Sequence, residues 1–149
     1  MKRHPSLQRL SRDHHHALVL AKRLLELPAD ADAETLEAAG AHVLERWRAE
    51  VGPHFAAEEE CLLPVFGRHA GARHPEIIET LCQHVELRGL ADAVAAARAA
   101  GTAPALETLR ALGEGLRAHV RYEEGVLFPA VEAALDAPAL ARLVALLGE

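Results

Sequence analysis

The sequence predicts an all-α protein: an up-down-up-down four-helix bundle with a short C-terminal helix, organised as one domain over residues 1–149. Three observations predict it. Half of the chain is apolar but only 3% is aromatic, and the apolar share is mostly Ala, Leu and Val, which favours close-packed helices over sheet. Apolar residues recur at three- and four-residue steps through four long stretches, as in helices with one buried face. Pro28, Pro75 and Gly101 mark breaks between those stretches, and the connections are short enough to make neighbouring helices antiparallel. At 149 residues the chain can bury roughly 70% of the surface that its unfolded form exposes, enough for a core.

The first helix is expected over residues 6–27, where Leu7, Leu10, Ala17, Leu18, Ala21 and Leu25 keep helical spacing up to Pro28. The second covers 33–66 and is expected to kink at Gly52-Pro53, because proline lacks an amide donor and its ring collides with the preceding turn. Pro75, a good first-turn residue, opens the third, which runs to Gly101. The fourth starts after Thr102 and Pro104 and reaches about Leu135, with a second kink at Pro129. The tail PALARLVALLGE should form a short helix covering one end of the bundle.

Composition removes several function classes. A formal charge of -6 without a Lys/Arg cluster argues against a phosphate-backbone footprint, and three Phe, one Tyr and one Trp leave little for base stacking. No nucleic-acid partner is expected. The start lacks a signal-peptide apolar region, and no apolar run approaches the roughly 18 residues a membrane span needs, so a cytoplasmic location without membrane contact is expected. Cys61 and Cys82 show no CxxC spacing and read as two core thiols.

Ten histidines are the unusual feature, and their spacing is informative. HVRYEEGVLFPAV (119–131) repeats the earlier HFAAEEECLLPVF (54–66), with His, Glu, Glu, Leu and Pro at matching places. His54 and Glu58 are four residues apart, as are His119 and Glu123, so each pair projects from one helix face. Both members of the later pair fall on the apolar stripe of Leu109, Leu112 and Leu116, which points them inward. The third helix has His84 on a stripe with Ile77, Leu81, Leu87 and Ala91; the first has His14 in line with Leu7 and Leu10. A buried Glu beside a buried His is costly unless it is paired, protonated or bound to metal.

Height along the bundle tests whether these groups can meet. At about 1.5 Å rise per residue, side chains converge only if they lie equally far from a shared turn. His14 is eight residues from the start of its helix, Glu58 eight before the end of the second, His84 nine after Pro75 and Glu123 twelve before Leu135. The first connection fits less well, and the extra turn is expected to be absorbed near Asp30 to Gly40. Six side chains should then converge: His14, His54, Glu58, His84, His119 and Glu123. Four imidazoles and two carboxylates suit iron, manganese or zinc rather than magnesium or calcium, and six ligands are too many for one tetrahedral zinc. Two metals bridged by the carboxylates are the economical solution, with iron or manganese the usual metals in such bundles.

On these residues the chain resembles the hemerythrin-like, HHE cation-binding domain. The shared blocks are the DHxxxL start at Asp13-His14 to Leu18, HFxxEExxLxP from His54 to Pro64, the lone His84, and HxxxEExxLFP from His119 to Pro129. The resemblance implies a non-haem pair of iron ions, oxo- or hydroxo-bridged, with Glu58 and Glu123 as bridging ligands and the histidines as terminal ones. It also implies binding of O2 or peroxide, or a response to oxygen, iron or reactive oxygen species. Oxygen carriers of that family have two histidines four residues apart on the third helix; here Thr80 and Arg88 flank His84 at that spacing, so stable O2 carriage is not expected.

The remaining polar residues are expected in supporting or surface roles. His15 reads as an outer partner of the metal site and His16 as solvated, while His4, His42, His69 and His74 fall on the surface. Glu59 and Glu124 should form surface ion pairs. Tyr122 is expected near a helix interface and Trp47 packed within one. The leading functional expectation is a di-iron module that binds O2 or senses iron or oxygen status. The alternatives are a di-iron enzyme that consumes peroxide or activates O2, and a structural or regulatory bundle crosslinked by zinc.

Overall fold

The computed structural model describes residues 2–148, all-helical apart from the connections, and among these residues no strand forms. Helix α1 spans Pro5–Leu25. Pro5 sits where a missing amide is harmless, and the His4 ring caps the helix by accepting from the Ser6 amide at 3.2 Å. Helix α2 covers residues 33–70 and is capped by Asp32, whose carboxylate accepts from the Thr35 amide at 2.8 Å. Helix α3 is Pro75–Ala99, α4 covers residues 106–134, and α5 is Ala137–Leu147, capped by Asp136 through the Ala139 amide at 2.9 Å.

The expected kinks take the form of π turns. Trp47–Val51 precedes Gly52-Pro53 and Glu123–Leu127 precedes Phe128-Pro129; a third, Glu58–Leu62, precedes Leu63-Pro64 and was not expected. The cause is common to all three. Proline has no N–H to give, and its ring would strike the carbonyl four residues back, so widening the turn moves that carbonyl aside. The amides of Gly52, Leu63 and Phe128 reach instead to the carbonyls of Trp47, Glu58 and Glu123. Backbone angles stay helical at each junction, so α2 continues past the expected Phe66 to Ala70.

The extra turn is taken up at the start of α2. Residues Ala33–Arg46 run as regular α-helix, α1 stops at Leu25, and the start of α2 packs against α3 and the segment that follows it. Gly40 allows this: a Cβ there would lie 2.6 Å from Pro104 Cγ. Gly113 has the same role between α1 and α4, since its Cβ would meet the Ala21 carbonyl oxygen at 3.0 Å and Leu24 Cβ at 3.1 Å.

The core is divided. One apolar cluster joins Leu7, Leu10, Leu62, Phe66, Leu127 and Phe128, and α5 closes it with Ala139, Leu143 and Leu147. The other joins Leu20, Leu24, Val43, Phe55, Leu112 and Leu116. On every long helix the inward histidines and glutamates fall between the two clusters. Three expectations of burial fail: Leu18 and Leu81 are exposed, and so is Cys82, leaving Cys61 alone as a partly buried thiol against the α5-side cluster. Thr80 takes the inward place on α3 instead, its hydroxyl donating to the Glu76 carbonyl oxygen at 2.7 Å within its own helix.

Candidate metal centre

The structure brings all six expected side chains together. His14, His54, His84 and His119 are buried, and Glu58 and Glu123 are 0% exposed, so two carboxylates stand wholly out of water. The groups fall into two sets of four, each within 4.8 Å: His14, His54, Glu58 and Glu123 in one, and Glu58, His84, His119 and Glu123 in the other. Each carboxylate turns one oxygen to each set. His14 Nε2 is 2.8 Å from Glu123 Oε2 and His54 Nε2 is 3.1 Å from Glu58 Oε1. On the other side His119 Nε2 is 2.8 Å from Glu123 Oε1 and His84 Nε2 is 3.1 Å from Glu58 Oε2.

These contacts fit a metal better than they fit hydrogen bonds. Nε2 of His54, His84 and His119, both oxygens of Glu58 and Oε1 of Glu123 are buried without a hydrogen-bond partner, which would be costly if nothing else satisfied them. Donors adjacent on one ion with bonds near 2.1 Å lie about 3 Å apart, the spacing seen here. The fit holds for both sets.

The other ring nitrogen of each histidine is held from outside. His14 Nδ1 lies 2.8 Å from Glu124 Oε1, His84 Nδ1 2.8 Å from Glu59 Oε1, His119 Nδ1 2.7 Å from Gln83 Oε1 and His54 Nδ1 3.3 Å from Asp13 Oδ2. All four partners are acceptors, so each ring donates from Nδ1 and turns the Nε2 lone pair inward. This corrects two expectations. Glu59 and Glu124 do pair with Arg88 and Arg3, but they also orient inward histidines; His15 is exposed and is not among the outer partners. Each repeat therefore supplies one carboxylate to the centre and a second to a histidine of another helix. The duplicated EE doublet was the signal for this. Asp13 stood in the DHxxxL block without an assigned role, and Gln83 had no signal.

Arg3 also serves the backbone. The Glu124 carbonyl would have served residue 129 in a π turn, but Pro129 has no N–H, and the Arg3 guanidinium donates to it instead. Arg3 Nε reaches Glu124 Oε2 at 2.9 Å and the guanidinium lies 5.7 Å above Phe128, which is stacked with the His14 ring. On the opposite side, Phe55 stacks on His84 with centroids 3.8 Å apart, Arg88 covers Phe55, and Trp47 packs edge-on against it.

Charge follows from this geometry. Burial alone would lower the imidazole pKa values, but neighbouring carboxylates outweigh it, raising His14 to about 8, His54 to about 12 and His84 to about 9. Burial pushes Glu123 up, yet His119, His14 and His54 hold it well below the usual carboxylate range. Burial likewise raises Glu124, but His14, Ser11 and Arg3 bring it to about 2. Without metal, His14, His54 and His84 are therefore held as imidazolium at neutral pH around the Glu123 carboxylate.

A small cavity adjoins the centre, with about 10 Å³ open to the centre of a water-sized molecule. His14, His54 and His119 reach it, Ala17, Val51, Phe55, Leu116 and Val120 form apolar wall, and Asp13, His16 and Glu50 are polar lining. Tyr122 lies away from this cavity, half-buried against the α5-side cluster.

Residues 5–131 match the family model of the hemerythrin HHE cation-binding domain. The chain belongs to that family. No curated protein and no solved structure gives a significant match. The hemerythrin match includes all six inward residues and their four outer partners, and it ends at Val131, before α5. Cation binding by the two His/Glu sets is what membership and geometry jointly support.

Proposed function

We propose that this hemerythrin-family bundle holds two non-haem iron ions, bridged by Glu58 and Glu123, and binds or senses O2 or peroxide. The carrying observation is the pair of His2Glu2 sets at the separation of ligands on one ion, in which every inward donor atom except His14 Nε2 and Glu123 Oε2 lacks a hydrogen-bond partner. His14 and His54 would hold one ion, His84 and His119 the other. Bound there, iron would supply open coordination positions and transferable electrons. The protein's own work is to hold the four imidazoles in one tautomer, keep bulk water out with two apolar clusters, and leave a cavity for one small molecule beside His14 and His54.

The same reading takes α1 to α4 as an up-down-up-down bundle. It is supported by the short connections 26–32, 71–74 and 100–105 and by the meeting of inward residues from all four helices. Neither α3 neighbour of His84 completes a carrier-type set: Thr80 is committed to the Glu76 carbonyl oxygen and Arg88 to Glu59. That favours sensing or turnover over reversible O2 storage. Metal analysis of protein from iron-supplied cells should give close to two irons per chain, and anaerobic spectra should change when O2 is admitted. One zinc per chain with no anaerobic iron uptake would sink the di-iron reading.

A further inference from the structure

The two four-residue sets have identical inner donors, two imidazoles and two bridging-carboxylate oxygens each. What distinguishes them is the atom that each Nδ1 meets. His14 donates to Glu124 Oε1, whose other recorded partner is the Ser11 hydroxyl at 2.6 Å; Arg3 Nε takes the opposite oxygen, Oε2. His54 donates to Asp13 Oδ2, with no cationic side chain bonded to that oxygen among the described residues. Glu124 is thus paired with a guanidinium through one oxygen only and Asp13 with none, so the two outer carboxylates of this set meet a single bonded cation.

The other set is poorer in negative charge. His84 donates to Glu59 Oε1, the oxygen that Arg88 also grips at 2.6 Å while holding Oε2 at 3.0 Å. His119 donates to a neutral amide oxygen, Gln83 Oε1, and the Gln83 nitrogen is turned away to Glu79 Oε1 at 2.9 Å. A ring whose Nδ1 proton is drawn by a carboxylate with no bonded cation, or with one on its far oxygen only, is a stronger donor at Nε2 than one bonded to an amide or to a carboxylate gripped by guanidinium on both oxygens.

We infer that the two metal positions are unequal and fill in order: the position of His14 and His54 takes the first divalent cation, and that of His84 and His119 the second. Asp13 and Arg88 are the positioning residues that set the difference. The inference rests on the two-metal reading. Its consequence is a chain that carries one metal, beside the small cavity, when metal is scarce.

Anaerobic calorimetric titration of the metal-free full chain with cobalt(II) tests it. The native protein should take two equivalents in two resolved steps. His119→Ala should keep the tight step and lose the weak one, whereas His54→Ala should keep only a weak step. The reverse pattern overturns the ordering. Two variants that spare every inner donor give an independent reading. Asp13→Asn should weaken the first step roughly tenfold and leave the second nearly unchanged, and Arg88→Met should tighten the second and leave the first. Equal shifts of both steps in either variant, or two equivalents bound natively at one affinity, overturn the inference while leaving the two-metal reading standing. Uptake of fewer than two equivalents by the native chain removes both.

Discussion

At the scale of single residues, the consequential groups are the two glutamates with no exposure and the two that follow them in sequence. Glu58→Ala or Glu123→Ala removes an oxygen from both sets at once, so metal should be lost while the helices persist on their apolar faces; metal content and circular dichroism measured together check this. Glu59→Ala and Glu124→Ala are expected to weaken metal binding by about 10–100-fold, because His84 and His14 lose the acceptor that fixes their tautomer. Unchanged affinity in both would mean that these bonds are incidental.

Protons compete with metal at the same nitrogens. In the metal-free chain His14, His54 and His84 hold protons up to about 8, 12 and 9 respectively, and each ring must be neutral to bind an ion. A raised folded value means protons are retained at neutral pH, so metal binding must release them, and affinity should fall as pH drops through 8 and below. Iron(II) titrations at several pH values, with proton release followed in weak buffer, check the sign. Affinity independent of pH between 6 and 8 would contradict it.

At the scale of elements, the π turns and the close helix contacts are the parts most exposed to single changes. Gly113→Ala places a methyl against the Ala21 carbonyl oxygen and Leu24, backbone and near-backbone atoms that cannot swing aside, so α1 and α4 must separate. A loss of about 1–3 kcal/mol in urea unfolding of the metal-free chain is expected. Leu116→Ala leaves a void in the cluster beside the cavity and should cost about 2–5 kcal/mol in the same assay. Moving α1 relative to α4 also displaces His14 from Glu123, so Gly113→Ala should lose metal at a lower urea concentration than the native chain.

At the scale of the whole molecule, the two apolar clusters seal a polar layer from both ends, and that layer has one small cavity beside it. Each set has two imidazoles, with Thr80 and Arg88 unavailable to add a third on α3. An iron with fewer nitrogen donors keeps more exchangeable positions, so the reduced protein is expected to oxidise within seconds to minutes of mixing with O2 and to consume peroxide. Rapid-mixing spectroscopy checks this. A charge-transfer band lasting hours and vanishing reversibly under vacuum would mark a true oxygen carrier.

The helices and the inward set were legible from the residues alone, since both follow from local periodicity. The three-and-four spacing put Leu109, Leu112, Leu116, His119 and Glu123 on one face, and counting residues from each turn brought six polar groups to one height. Proline marked all three irregular turns, although only those at Pro53 and Pro129 were expected. What lies behind the inward groups depends on how the helices pack. Asp13 and Gln83 carry no repeat, and whether Glu59 faces solvent or His84 depends on where α3 lies against α2. The same holds for Leu81, which fits the helical stripe of His84, and for Cys82, expected as a core thiol; both face outward once Thr80 takes the inward place. Periodicity fixes which residues share a face; which neighbour that face meets is set by the packing of other helices, and the hydrogen-bond partners of the centre are made there.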